Sequence, residues 1–300
     1  MGGEITVWWG PDDMVSALGF GTEENMAAVR AMKSSLASWH DATPVCLIDR
    51  KRLGALAAEQ GLAGYTPLER LVLATLGGVV ARSGVTPADK RTLIVLATTK
   101  GEIGSLGSAP ERCDLNRTAE VVGRHFGAAH RPLLVSNACI SGVSAIVIAA
   151  RLIRSGRYDH VFVAGFDLLC DFIVSGFNAF KSVSPTLCRP YDASRDGLTL
   201  GEACGAVLLT RDQRLGHGRE RGGRRNFERR QPHIGAFAHR RRALVRYPRG
   251  TRRGGNRSRG GRAGKHPRHG DRLQRRDGEQ GASPGGIVRR TLQLAEALFR

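Results

Sequence analysis

Residues 133–156, LLVSNACISGVSAIVIAARLIRSG, set Cys139 between a short apolar run and a long apolar helical pattern. A cysteine presented by such a strand-turn-helix bend meets the N–H groups at the start of the helix. Their partial positive charge favours thiolate over thiol. The same groups stabilise the oxyanion formed when a thiolate attacks a thioester. An arbitrary cysteine is more often a buried small hydrophobe, but this setting favours Cys139 as a nucleophile. The cysteines at 46, 113, 170, 188 and 204 lack it and read as core or incidental. None of the six forms a CxxC pair, so neither a zinc site nor a disulfide framework is expected, and a reducing cytoplasm fits. Gly101–Gly107 (GEIGSLG) lacks the Lys-Ser/Thr of a phosphate-binding loop and reads as a plain turn.

The elements that must position Cys139 alternate. Ile5–Trp9 reads as a short strand, and a helix is expected from Thr22 through Met26, Val29, Met32 and Leu36. Thr66-Pro67-Leu68-Glu69 is a capping box opening a helix to about Ala81. Thr92–Ala97 is an unbroken apolar run suited to a strand buried on both faces. A helix over Asn116–Phe126, a strand over Pro132–Ser136, a helix from Ser141 to Ser155 and a strand over His160–Ala164 follow. This order predicts a layered α/β fold with a largely parallel central sheet.

Four segments carry a resemblance. NACISG resembles the nucleophile motif of the β-ketoacyl-acyl-carrier-protein synthases, condensing enzymes of the thiolase-like superfamily. DHVFVAGFD (159–167) is similar to the strand after that family's nucleophile helix, and SGFNAFKSVSP (175–185) to its gating segment. RPYDASRDGLTLGEACGAVLL (189–209) resembles its Arg-Pro-Phe-Asp … Gly-Glu-Gly-Ala-Gly signature. The resemblance covers most of residues 1–212, more loosely before about residue 90, and implies the N-terminal half of a thiolase-like fold. It implies Cys139 as the nucleophile that takes an acyl chain, Phe177 beside the acyl pocket, and Ile140 at the pocket mouth, where smaller residues are common. Asp192, Arg195 and Glu202 read as structural. The resemblance further implies an acyl carrier protein as partner, a homodimer, and no metal or organic cofactor, the substrates being carried on phosphopantetheine.

The resemblance stops near Asp212. The family's second half supplies two His, or His and Asn, with a supporting Lys, in segments like His-Gly-Thr-x-Thr and Asn-x-x-Lys-x-x-x-Gly-His. Residues 213–300 contain neither, and His217, His233, His239, His266 and His269 lie among Arg and Gly. The charge divides at the same place. Of 46 Lys+Arg and 27 Asp+Glu over 300 residues, 25 basic and 6 acidic fall in 213–300, leaving 21 of each before them. The entire net charge of +19 therefore lies in an Arg/Gly-rich segment whose composition predicts disorder. A non-specific, polycationic hold on nucleic acid is the alternative function this composition allows; it offers few aromatics for stacking and no repeated RGG spacing, so no specific nucleic-acid partner is expected.

Codon arithmetic explains the arginines better. An arginine codon CGN read one base later begins GN, which encodes Gly, Ala, Val, Asp or Glu. Codons exist for Pro267–Gly281 that spell HGTATAYNDEMESK one base later, closely resembling the family's first-histidine motif. Arg224–Arg242 can likewise spell GAISNDANHISAPSRTGDG, and Leu292–Arg300 FNSLKRYF, which resembles the lysine motif. The sequence thus reads as a β-ketoacyl synthase N-terminal domain over 1–212, followed from about residues 213–223 by an out-of-frame segment. No run approaches the roughly 20 apolar residues that span a bilayer, so no membrane partner is expected. The N-terminus shows neither a secretory signal nor, with Val7 at the sixth position, a myristoylation signal. The expected location is cytoplasmic.

Overall fold

A computed structural model describes residues 5–40 and 43–216; the expectation of disorder beyond Gly216 lies outside the described residues. Strand β1 (Trp8–Ser16) turns into β2 (Gly19–Phe20), and α1 (Thr22–Arg30) follows. A small hairpin, β3 (Ala37–Trp39) and β4 (Thr43–Cys46), leads to α2 (Arg50–Glu59) and the long α3 (Pro67–Ser83). Then come β5 (Thr92–Ala97), α4 (Leu115–His125), β6 (Leu133–Val135), α5 (Ser141–Arg154), β7 (His160–Asp167) and α6 (Asp171–Ala179). The short β8 (Leu200–Gly201) and β9 (Ala203–Thr210) complete the strands.

Six strands form one sheet in the order β2-β1-β9-β7-β5-β6, while β3, β4 and β8 form a second. Strand β5 runs parallel to both β6 and β7, but β7–β9, β9–β1 and β1–β2 are antiparallel. The sheet is therefore mixed, which corrects the largely parallel expectation. Its parallel half is made of strands joined by the single helices α4 and α5, whereas β9 comes back antiparallel beside β7 after a long connection that holds α6 and β8.

Alternation along the strands builds two cores. Ile94, Leu96, Phe162, Ala164, Phe166, Cys204, Ala206 and Leu208 face α3 with its Leu71, Val72, Leu76 and Val79. Leu93, Val95, Ala97, Val161, Val163, Val207 and Leu209 face α5, whose Ala145, Ala149 and Ala150 bring the helix close to the sheet. All six residues of β5 are buried, as its apolar run predicts. The capping box forms as read: Thr66 Oγ1 accepts from the Glu69 N–H, and the Glu69 carboxylate accepts from the Thr66 N–H. Gly84 closes the helix in a left-handed conformation with φ 65°.

Two N-terminal readings are corrected. The first strand begins at Trp8, not Ile5, and runs through Pro11, Asp12 and Asp13 with a bulge between Trp9 and Asp12. The bulge accommodates the proline. Thr22 Oγ1 donates to Asp12, and Arg82 pairs with Asp13 at 3.0 Å. Helix α1 ends at Arg30 rather than reaching Leu36, and Met32 takes φ 52° beyond it. Its buried side is Asn25 and Ala28, while Met26, Val29, Met32 and Leu36 are exposed. Asn25 Nδ2 donates to the Gly19 and Gly21 carbonyls, so hydrogen bonding decides which face turns inward.

Candidate active site

Strands β6 and β7 flank β5, all three parallel, and the chain segments leaving their C-terminal ends converge on one edge of the sheet. Open α/β sheets bind ligands at this edge. Cys139 lies in the turn from β6 into α5 and is exposed, as is Ile140, the residue that caps the helix.

The bend is concentrated at Ala138, whose φ of 45° is the left-handed conformation that non-glycine residues avoid. Ser141 holds it. The buried Ser141 hydroxyl donates to the Ala138 carbonyl at 2.6 Å and accepts from the Asn137 N–H at 2.8 Å. The Ile140 and Ser141 N–H groups donate back to Asn137 and Ala138 at 3.2 Å. In the sequence Ser141 stood out only as the start of a helix; the signal was a hydroxyl four residues after Asn137, at the spacing of one helical turn. Beneath the turn, a Cβ on Gly165 would stand 4.0 Å from Gly142 Cα, so β7 passes directly under the first turn of α5.

Beside this turn the ends of β5 and β7 are tied by Asp167. Its carboxylate accepts from Thr98 Oγ1 at 2.7 Å and from the N–H groups of Thr99 and Lys100. Burial pushes the Asp167 carboxyl up against the opposing pull of those donors. Phe177 stands on α6, which follows β7, and is partly exposed, while Phe180 is 82% exposed at the helix C-terminus. A cavity of about 250 Å³ lies along the same edge, lined by Arg50, Leu68, Glu102, Gly104, Leu169 and Cys170 among others. Cys139, Ile140 and Phe177 are not among its lining residues.

Glu202 proves to be a hub. It is buried, pairs with Arg50, and accepts from the Ile48 and Leu169 N–H groups at 3.0 Å each. Asp192 caps its own turn through the Ser194 N–H and hydroxyl, both at 2.7 Å, and Arg195 Nη1 donates to the Asp192 carbonyl. All three thus serve the backbone, as read.

The family profile described as "Beta-ketoacyl synthase, N-terminal domain" matches residues 59–214, which hold Cys139, Phe177 and Glu202 together. The chain belongs to the β-ketoacyl synthase family. Nodulation protein E of Rhizobium meliloti (strain 1021) is 30% identical over 181 residues, covering 54% of this chain and 43% of that protein. The 3-oxoacyl-[acyl-carrier-protein] synthase 2 of the same strain is 38% identical over 96 residues, covering 29% and 22%. A putative polyketide β-ketoacyl synthase 1 of Streptomyces cyaneus is 30% identical over 141 residues, covering 43% and 33%. The chain spans less than half the length of these curated relatives. Among solved structures, the ishigamide ketosynthase/chain length factor superposes with a TM-score of 0.63 at 22% identity, covering 69% of this chain and 59% of that one. The ketosynthase from Xenorhabdus doucetiae, solved in complex with its chain length factor, gives 0.55 at 22% identity, covering 69% and 58%. These two show a shared β-ketoacyl synthase fold.

Proposed function

We propose that residues up to about 212 are the nucleophile-bearing half of a β-ketoacyl-acyl-carrier-protein synthase of fatty acid or polyketide type. The observation that carries this reading is the strained Asn137–Ser141 turn, which presents Cys139 at the head of α5 in a chain of this family. The Cys139 sulfur attacks the acyl carbonyl of a phosphopantetheine thioester on an acyl carrier protein. The carrier leaves as its thiol and the acyl group stays on Cys139. The Cys139 N–H stabilises the oxyanion on the way. Loss of CO₂ from a malonyl thioester then supplies the carbanion that attacks acyl-Cys139, expelling the sulfur and giving a chain two carbons longer. Phe177 gates the acyl pocket and Ile140 narrows its mouth. The chemistry calls on no metal or organic cofactor, and its setting is the cytoplasm.

A homodimer built around this half fits the exposed edge strand β6, where Leu133 is 40% exposed. A ketosynthase of the same fold was solved in complex with its chain length factor, which supports pairing of this half with a second chain. The histidine and lysine motifs are legible only one base out of frame, so the 300-residue chain accepts an acyl group without condensing it. Among the described residues no helix is long and apolar enough to cross a membrane.

The test is intact-mass analysis of the purified chain after incubation with acyl-carrier thioester. One acyl adduct on Cys139, absent in Cys139→Ala and with no β-ketoacyl product, is expected. Absence of the adduct overturns the nucleophile assignment, and β-ketoacyl product overturns the incompleteness. Sequencing the gene across codons 212–224 tests the frame: a single-base shift there restores both motifs.

A further inference from the structure

We propose that Asp171 is a positioning residue, through which the β3–β4 hairpin sets where helix α6, and with it Phe177, stands. The inference rests on the reading of Phe177 as the gate of the acyl pocket. Helix α6 buries a single residue, Val174, so hydrophobic burial alone fixes its position weakly. Polar ties do the rest. Trp39 Nε1–H donates to Asp171 Oδ1 at 2.9 Å, and His40 Nε2 lies 2.8 Å from the same oxygen. At the other end of the helix Asn178 Nδ2 donates to Thr43 Oγ1 at 3.1 Å. The same hairpin therefore grips α6 at its first and last turns. His40 reaches the carboxylate from a left-handed backbone with φ 48°, and its ring meets that of Trp39 edge-on at 5.5 Å. These donors hold the Asp171 carboxyl below its usual range, His40 contributing most.

The hairpin is itself fixed to the body. Val45 is fully buried, β4 runs parallel to β8, and the Glu202 N–H donates to the Cys46 carbonyl at 2.9 Å. Glu202 also holds Leu169, in the linker entering α6. Glu202 is thus bonded to the hairpin through its backbone N–H and to the entrance of α6 through its carboxylate, and the hairpin is bonded in turn to both ends of the helix.

An acid in the first turn also favours a helix through its dipole, and the experiment separates that effect from the tie. Asp171→Ala removes charge and acceptor; Asp171→Asn removes the charge but keeps an acceptor for Trp39 and His40. The double variant Trp39→Phe/His40→Ala removes the donors and keeps the charge. Two readouts are taken on the full chain: amide hydrogen exchange over residues 172–180, and the ratio of Cys139 acylation rates with hexanoyl and hexadecanoyl phosphopantetheine thioesters. Asp171→Ala and the double variant are expected to speed exchange about fivefold, the loss of roughly one net hydrogen bond, and to shift the acylation ratio. Asp171→Asn is expected to restore both toward the native values. The proposal is overturned if Asp171→Ala changes neither readout, or if Asp171→Asn behaves like Asp171→Ala. Phe177→Ala is the separating arm: an unchanged acylation ratio there removes the gate reading, and the exchange readout still decides the tie.

Discussion

The Ser141 hydroxyl is the latch of the Ala138 bend, giving a hydrogen bond to the Ala138 carbonyl at 2.6 Å and taking one from the Asn137 N–H at 2.8 Å. Ala138 holds φ 45° because both neighbouring polar groups are spoken for. Ser141→Ala leaves those groups without their side-chain partner, which costs about 1–3 kcal/mol at a buried site. The expected outcome is a lower melting temperature together with slower acylation of Cys139, by about tenfold, because the sulfur is no longer held in place. Native acylation rates in Ser141→Ala would show that the turn stands without its latch.

Thiol chemistry should rank the cysteines by burial. Cys204 is buried on β9 and its thiol is pushed up to about 12, chiefly by desolvation. Burial also raises the thiols of Cys46, Cys113 and Cys170. Alkylation with iodoacetamide at about pH 8, followed by peptide mass analysis, is expected to modify exposed Cys139 first and Cys204 only as fast as the protein unfolds. Equal rates at the two positions would contradict the described burial.

The loop after α6 closes on itself at Gly197. A Cβ there would stand 2.5 Å from the Val183 carbonyl carbon and 2.9 Å from Ser184 Cα, both backbone atoms. Gly197→Ala is therefore expected to cost about 2–3 kcal/mol, read as a lower denaturant midpoint. Gly205→Ala in β9, where nothing lies within 4 Å, is the matched control and should be close to neutral. Equal midpoints for the two variants would refute the close approach.

Glu24 links α1 to α2 through a double hydrogen bond with Arg52 at 2.8 and 2.9 Å, and also accepts from the Phe20 N–H. The Arg52 hydrogen bond, with help from Phe20, lowers its pKa from 4.5 to about 2. A folded value below the unfolded one means the contribution is complete above about pH 4.5 and fades as the pH falls toward 2. The pair is exposed, so solvent screening holds its worth below about 1 kcal/mol. Glu24→Gln should lie below the native protein in denaturant midpoint at pH 7, and the gap should narrow by about half near pH 3. A gap that does not change with pH would assign the loss to packing instead.

Elements whose stability is local were legible in the sequence. The α3 capping box, the unbroken apolar run of β5 and the strand-turn-helix around Cys139 each carry their signal within a few residues. Elements held by distant partners were not. Strand β1 hides behind Pro11 and two aspartates, which the distant Thr22 and Arg82 help to satisfy. The outward face of α1 is decided by Asn25 finding the Gly19 and Gly21 carbonyls, so its apolar spacing misleads. The hairpin that grips α6 joins residues 131 positions apart, and the strand directions of a mixed sheet depend on which pairs meet. Of the candidate site, Cys139 was singled out by its setting and Phe177 by resemblance, whereas Ser141 and Asp171 enter through hydrogen bonds that spacing does not announce.

The position of β9 between β1 and β7 has a consequence for synthesis on the ribosome. Strand β1 is made well before β9 and can join the rest of the sheet only by pairing with Ala203–Thr210. At 5–20 residues per second, roughly 10 to 40 s separate the emergence of the two strands. Through that interval β1 has only its short neighbour β2 to pair with, and one late strand then docks both onto the rest of the sheet.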